Sequence, residues 1–279
     1  MELRLGEKQR LVIVKKVEFG VYLATKEAPE DKVLLPAKQV PEGAKVGDEL
    51  EVFLYRDSSD RMIATTRTPR LCLGQVALLT VAQVGKVGAF LDWGLEKELF
   101  LPFKEQTRKV AAGEECLVAL YIDKSSRLCA TMNVYPYLQQ DSPYHKDDMV
   151  QGTVYEISDN FGAFVAVDNL YSALIAKKEL YGTVRIGDRI TGRVVQVKED
   201  GKLDLSIREK AYLQIKKDAE KILTVIDSYD GVLPFTDKAT PEVIKRETQM
   251  SKNEFKRAVG HLLKEGRIEI TPRAIRRKG

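Results

Sequence analysis

Phe161-Gly162-Ala163-Phe164-Val165 decides the reading of this chain, because it is one of three related copies. The others are Phe19-Gly20-Val21-Tyr22-Leu23 and Val87-Gly88-Ala89-Phe90-Leu91. Working outward, each copy is followed by a second landmark: Val46-Gly47-Asp48-Glu49, Ala112-Gly113-Glu114-Glu115 and Ile186-Gly187-Asp188-Arg189. The glycine-to-glycine separations are 27, 25 and 25. A third landmark, a polar turn with a short apolar strand, closes each unit. It begins at Asp57-Ser-Ser-Asp-Arg61, at Asp123-Lys-Ser-Ser-Arg127 and at Glu199-Asp-Gly-Lys202. Landmarks recurring in fixed order are the signature of a repeated structural unit.

Each unit reads as four or five short strands. In the third, Gln151-Gly-Thr-Val-Tyr-Glu-Ile157 alternates up to an Asp159-Asn160 turn, and Gly162-Ala-Phe-Val-Ala-Val167 carries the chain back. Alternating rather than continuous apolar residues suit a small antiparallel barrel, filled inside and open to solvent outside. The glycines at 20, 88 and 162 stand where a bulge or tight bend lets a barrel corner close. The Gly-Asp pairs are placed in the turn that launches the fourth strand. The segment from Asn133 to Asp148, with two prolines and three tyrosines, reads as a connection whose rings either pack on a barrel or stack on bases. The short Arg67-Thr-Pro-Arg70 joint sets barrels one and two against each other.

After residue 210 the period changes. Ile215, Ala219, Ile222, Leu223 and Ile226 make a helical stripe ended by Asp230-Gly231. Thr240-Pro241 opens a short helix to about Thr248. Ser251-Lys-Asn-Glu254 is a capping box, with Phe255, Ala258, Val259, Leu262 and Leu263 following on one face. Glu265-Gly266 stops that helix, and Arg267–Ile270 with Ala274-Ile275 make the strands of a small wing. This order is the winged helix-turn-helix plan. The fold class is therefore mainly β and multidomain: barrels over 1–68, 70–133 and 148–210, a linker over 134–147, and a small α+β domain over 211–279.

Composition narrows the function class. From Lys210 to Gly279 there are 16 Lys and Arg against 10 Asp and Glu, a charge of +6 within a chain of net +4. Excess positive charge at one end points to a polyanionic partner or to a solvated tail. Cys72, Cys116 and Cys129 lack metal or disulfide spacing and read as core fillers in a reducing cytoplasm. No signal peptide or bilayer-spanning run is expected, hence no membrane partner. Two histidines, His145 and His261, and scattered carboxylates assemble no nucleophile, acid–base pair, metal cage or cofactor motif. A non-enzymatic protein is expected.

Single-stranded nucleic acid requires outward aromatics beside cations. Barrel three offers Phe161 and Phe164 with Lys177, Lys178, Arg193 and Arg208. Barrel one offers Phe19 and Tyr22 with Lys15, Lys16 and Arg67, and barrel two offers Phe90 and Trp93 with Lys86. Alternation breaks at the glycine bend, so each ring is open between core and solvent, although two rings straddling the bend can share a face. In the terminal domain Lys252, Asn253, Lys256 and Arg257 would face a groove.

Phe161-Gly-Ala-Phe-Val165, with Ala173-Leu-Ile175, Ile186-Gly-Asp188 and Leu203-Asp-Leu-Ser-Ile-Arg208, resembles the S1 RNA-binding domain, an OB-fold variant. The resemblance implies a binding face on Phe161 and Phe164, with weaker copies at Phe19, Tyr22 and Phe90. A histidine common in that family is absent: Ala176 stands there, with Pro36 and Pro102 nearby in the other units. Val87 and Asn133 replace an aromatic and an arginine, which marks barrel two as a spacer. Three such units before a winged helix resemble the bacterial conserved virulence factor B family. That implies a cytoplasmic, post-transcriptional regulator that binds single-stranded RNA, expected as a monomer. Two alternatives remain: a transcription regulator reading duplex DNA through the winged helix, and a scaffold on ribosomes or RNA-processing machinery. The terminal helix-turn-helix is expected to extend the RNA surface of barrel three rather than to read DNA.

Overall fold

A computed structural model describes residues 2–180, 184–207 and 211–278, except the side chains of 211–214. Two compact units are distinguished, one ending at Ile207 and one beginning at Arg208.

The first unit holds three closed five-stranded barrels. Barrel one has β1 (Lys8–Val17), β2 (Gly20–Ala24), β3 (Val33–Pro36), β4 (Glu49–Arg56) and β5 (Met62–Thr65). Barrel two has β6 (Val76–Val84), β7 (Gly88–Asp92), β8 (Leu99–Pro102), β9 (Glu115–Ile122) and β10 (Leu128–Thr131). Barrel three has β11 (Met149–Ser158), β12 (Gly162–Val167), β13 (Tyr171–Ala176), β14 (Arg189–Val197) and β15 (Leu203–Ser206). The first strand pairs antiparallel with the second and the fourth, and the third runs parallel to the fifth.

Closure explains why the landmarks recur. Each first strand shifts register midway, between Ile13 and Lys15, Val81 and Gln83, and Val154 and Glu156. Such a bulge lets one strand serve two partners on a curved wall. The second landmark docks on this bulge. Gly47 N donates to Ile13 O and Ile13 N to Asp48 O, at 2.8 and 2.9 Å. Gly113 with Val81 and Gly187 with Val154 repeat the pattern. The bulge thus lies one strand earlier than the glycine of the first landmark. That glycine answers a different need: a Cβ on Gly162 would stand 2.1 Å from the Ile175 carbonyl oxygen, at φ +122°. Gly20 meets Leu35 in the same way.

The third landmark is a carboxylate-centred turn. Asp57 accepts from the backbone N–H of Ser59 and Arg61 and from the Arg61 guanidinium. Asp123 does the same with Ser125 and Arg127. Burial alone would raise the Asp123 pKa, but these donors hold it below the usual carboxylate range.

Neighbouring barrels share cores. On β4, Phe53 and Tyr55 point away from the barrel-one interior and pack on barrel two, where Phe53 meets Trp93 edge-on at 5.8 Å. Leu117 and Ala119 of β9 pack likewise with Val134, Leu138, Tyr155 and Ala166. The 134–147 segment is therefore partly a structural filler. Tyr137 borders that core, Tyr144 packs on barrel three, and Tyr135 remains exposed with the Lys202 ammonium 5.8 Å over its ring.

The second unit has α1 (Ala211–Ser228), β16 (Val232–Leu233), α2 (Pro241–Thr248), α3 (Lys252–Lys264), β17 (Ile268–Ile270) and β18 (Ile275–Arg277), with sheet order β16-β18-β17. Ala219, Ile222, Leu223 and Ile226 of α1 meet Phe255, Ala258, Val259 and Leu262 of α3 in one core. Ser251 and Glu254 form the reciprocal capping box at the start of α3. Strand β16, two residues long, has no periodicity to announce it.

Candidate nucleic-acid interface

Residues opposite one another in a sheet share a face, so the register defines one outer row per barrel. In barrel one it reads Lys15, Tyr22, Leu34, Ile63, Tyr55. In barrel two it is Gln83, Phe90, Phe100, Cys129, Tyr121. In barrel three it is Glu156, Phe164, Leu174, Asp204, Gln196. The strand neighbours of the row's ring, such as Ala163 and Val165 beside Phe164, are buried. The second aromatic of each motif therefore faces outward, half-covered.

The first aromatic stands on the turn before the second strand and is far more open. Phe161 is 63 % exposed and Phe19 59 %. Their ring centroids lie 6.5 and 6.4 Å from Phe164 and Tyr22. An exposed phenyl ring offers its face to a base, and the second ring, inclined at 85° in barrel one and 59° in barrel three, borders that face. Lys177, exposed, donates its backbone N–H to Phe161 O at 2.9 Å, and Lys178 is exposed next to it. Lys15 lies directly across from Tyr22, and Lys15 and Lys16 are exposed.

Other expectations need correction. Trp93 is 2 % exposed: its indole N–H donates to Lys97 O at 2.6 Å, and its ring is wedged against Phe53 in the barrel-one/barrel-two core. It is a packing residue, because the neighbouring barrel covers it. Arg193 is bound by Asp147 at 2.8 Å and lies opposite Met149 and Ser206, three positions along β14 from the row residue Gln196. Arg67 is exposed but paired with Glu96 at 3.1 Å. Phe90 is half-buried against Phe100. Lys86 is exposed in the turn before β7, and Arg208 lies outside the described residues. In α3, Asn253, Lys256 and Arg257 are exposed opposite the buried face, and Lys252 is half-buried. Barrel three is less basic around its rings than its sequence implied, since the row carries Glu156 and Asp204, the latter paired with Lys198.

Sequence reasoning passed over Phe100 and Phe103. Both belong to barrel two, Phe103 is 50 % exposed, and its N–H donates to Val87 O at 3.3 Å. The alternation Leu99-Phe100-Leu101 was the available signal, because it turns Phe100 to the outer row. Among the described residues no three His, Cys, Asp or Glu side chains converge as a metal cage. No helix there is long and apolar enough to cross a membrane.

Comparison with known proteins agrees with this architecture. Residues 5–67 and 73–133 match the S1 domain. Residues 136–209 match the second domain of the virulence regulatory factor CvfB, and 220–276 the CvfB-like winged helix domain. The uncharacterized protein YitL of Bacillus subtilis (strain 168) is 31 % identical over 277 residues, covering 95 % of this chain and 91 % of that one. Conserved virulence factor B of Staphylococcus saprophyticus is 30 % identical over 234 residues, covering 81 % and 78 %. A crystal structure of a multidomain protein with nucleic acid binding domains from Streptococcus pneumoniae superposes with a TM-score of 0.52 at 23 % identity, covering 98 % of both chains. With three S1-type barrels, a winged helix and a relative matched over most of its length, this chain belongs to the conserved virulence factor B family.

Proposed function

We propose that this protein binds single-stranded RNA without catalysis and acts in the cytoplasm as a post-transcriptional regulator. The observation that carries the reading is an exposed ring beside a half-covered one at the same place in barrels one and three, Phe19 with Tyr22 and Phe161 with Phe164. Bases stack on these rings, while Lys15, Lys16 and Lys177 meet the phosphates. Each stacked base contributes ~1–3 kcal/mol with little regard to sequence. Two platforms on one chain raise the local concentration of the second site once the first is engaged. The regulatory part rests on the family, whose members carry the names virulence factor and virulence regulatory factor.

Exposed Lys256 and Arg257 on α3, with no ion pair among the described residues, favour one second reading: duplex DNA held by the winged helix. Anisotropy titrations of labelled unstructured RNA and of duplex DNA at about 50 and about 200 mM salt separate the two. The RNA reading expects the single strand to bind more tightly, with an affinity that falls steeply with salt through counterion release. Tighter binding of the duplex, lost in Arg257→Ala, would replace it.

A further inference from the structure

We infer that barrels one and two form a shared cleft for one base of a single strand, so that barrel two is a reader and not a spacer. This rests on the RNA reading above and adds a site to it. The floor is the outer row of barrel two, where Phe90 and Phe100 lie with ring centroids 5.3 Å apart. Barrel one supplies a wall through Tyr55 and Arg56, and the cleft volume is about 290 Å³. That is near the lower end of small-molecule sites, roughly 300 Å³, and suits a single planar ring system.

The rim decides the occupant. Arg56 donates to the carbonyl oxygens of Ser126 and Asp60, at 2.9 and 2.7 Å, and Lys97 Nζ donates to Asp57 O at 2.8 Å. These acceptors are neutral. Both side chains are thus held in place with no ion pair among the described residues, and their charge stays available to a phosphate. The lining also holds one carboxylate, Glu98, which accepts from the Gln83 amide at 2.7 Å. An apolar aromatic floor beneath two fixed cations still matches a nucleotide, with the base inward and the phosphate on the Arg56 and Lys97 side. The cleft is also pre-formed, since the Phe53–Trp93 contact locks one barrel on the other. Tyr55 and Lys97 also line an adjacent hollow of about 620 Å³ between barrels one and two that reaches Arg67, so the cleft has a neighbouring space into which a strand can continue.

Trp93 is the only tryptophan of the chain and lines this cleft, so its fluorescence reports on it. Full-length protein is titrated with a short oligouridylate, following Trp93 emission and, with labelled oligomer, anisotropy. A saturable Trp93 change that tracks anisotropy is expected. Phe100→Ala should bind about fivefold more weakly, the low end of one base stack, with the Trp93 response lost. Val87→Glu places a carboxylate at the mouth on a residue 64 % exposed, where folding is not at stake, and should have the same effect. Phe161→Ala should weaken binding yet keep the Trp93 response. Anisotropy with a silent Trp93 and an unaffected Val87→Glu overturns the cleft and leaves the RNA reading standing. Absence of any anisotropy change overturns both. A Trp93 response to apolar peptides but not to oligouridylate assigns the cleft to a protein partner and overturns the inference.

Discussion

Phe161→Ala separates binding from folding in barrel three. The ring is 63 % exposed, so about a third of the roughly 200 Å² of an aromatic side chain is covered by the protein. At ~25 cal/mol per Å² that coverage is worth about 1.7 kcal/mol, and less against a compact denatured ensemble. The loss in RNA affinity should be one base stack, ~1–3 kcal/mol, or roughly five- to 150-fold in Kd. Phe164→Ala is the contrast. Its ring lies 6.2 Å from Tyr155 and borders the core between barrels two and three. It should therefore cost about 2–3 kcal/mol of stability as well as affinity. Urea unfolding of both variants, alongside anisotropy with unstructured RNA at low salt, measures the two quantities. If Phe161→Ala binds RNA within twofold of the parent while its stability is unchanged, the exposed ring is not a stacking platform.

Trp93→Ala should destabilise the first unit by ~3–5 kcal/mol in urea unfolding, since it empties the wedge between two barrels; a change under 1 kcal/mol contradicts the packing role. Gly162→Ala should cost ~3 kcal/mol or more, seen as lost soluble yield or a lowered Tm, because its Cβ meets the Ile175 carbonyl. Asp57 and Asp123 are held below their unfolded pKa, so their contribution is complete above about pH 4 and is lost as pH falls through the folded values. Acid titration monitored by circular dichroism should show Asp57→Asn/Asp123→Asn less stable at neutral pH and less steeply dependent on pH below 4. Burial pushes the Cys116 and Cys129 thiols up to about 11. At pH 8 a thiol-specific chromogenic reagent should label them slowly in the native protein and quickly in denaturant.

Three repeats, the strand-and-turn order of each, and the helix starts at Thr240-Pro241 and Ser251 were all legible along the chain. They depend on contacts within a few tens of residues, where spacing alone places the side chains. The shared cores had a weaker signal. Val52–Tyr55 of β4 and Cys116–Leu120 of β9 are continuous apolar runs, the pattern of strands covered on both faces. Strand β14 has no buried run of that kind.

By itself, then, the sequence determined that this is a row of barrels with a winged helix and that Phe19, Tyr22, Phe161 and Phe164 are the rings to test. Local periodicity and glycine spacing carry that information. Only the tertiary structure decided that Trp93 is a wedge and that Arg193 is neutralised by Asp147. It also showed that Phe100 and Arg56, from different barrels, line one cleft. The exposure of a ring and the availability of a charge depend on what a distant part of the chain places against them, and no local pattern records it.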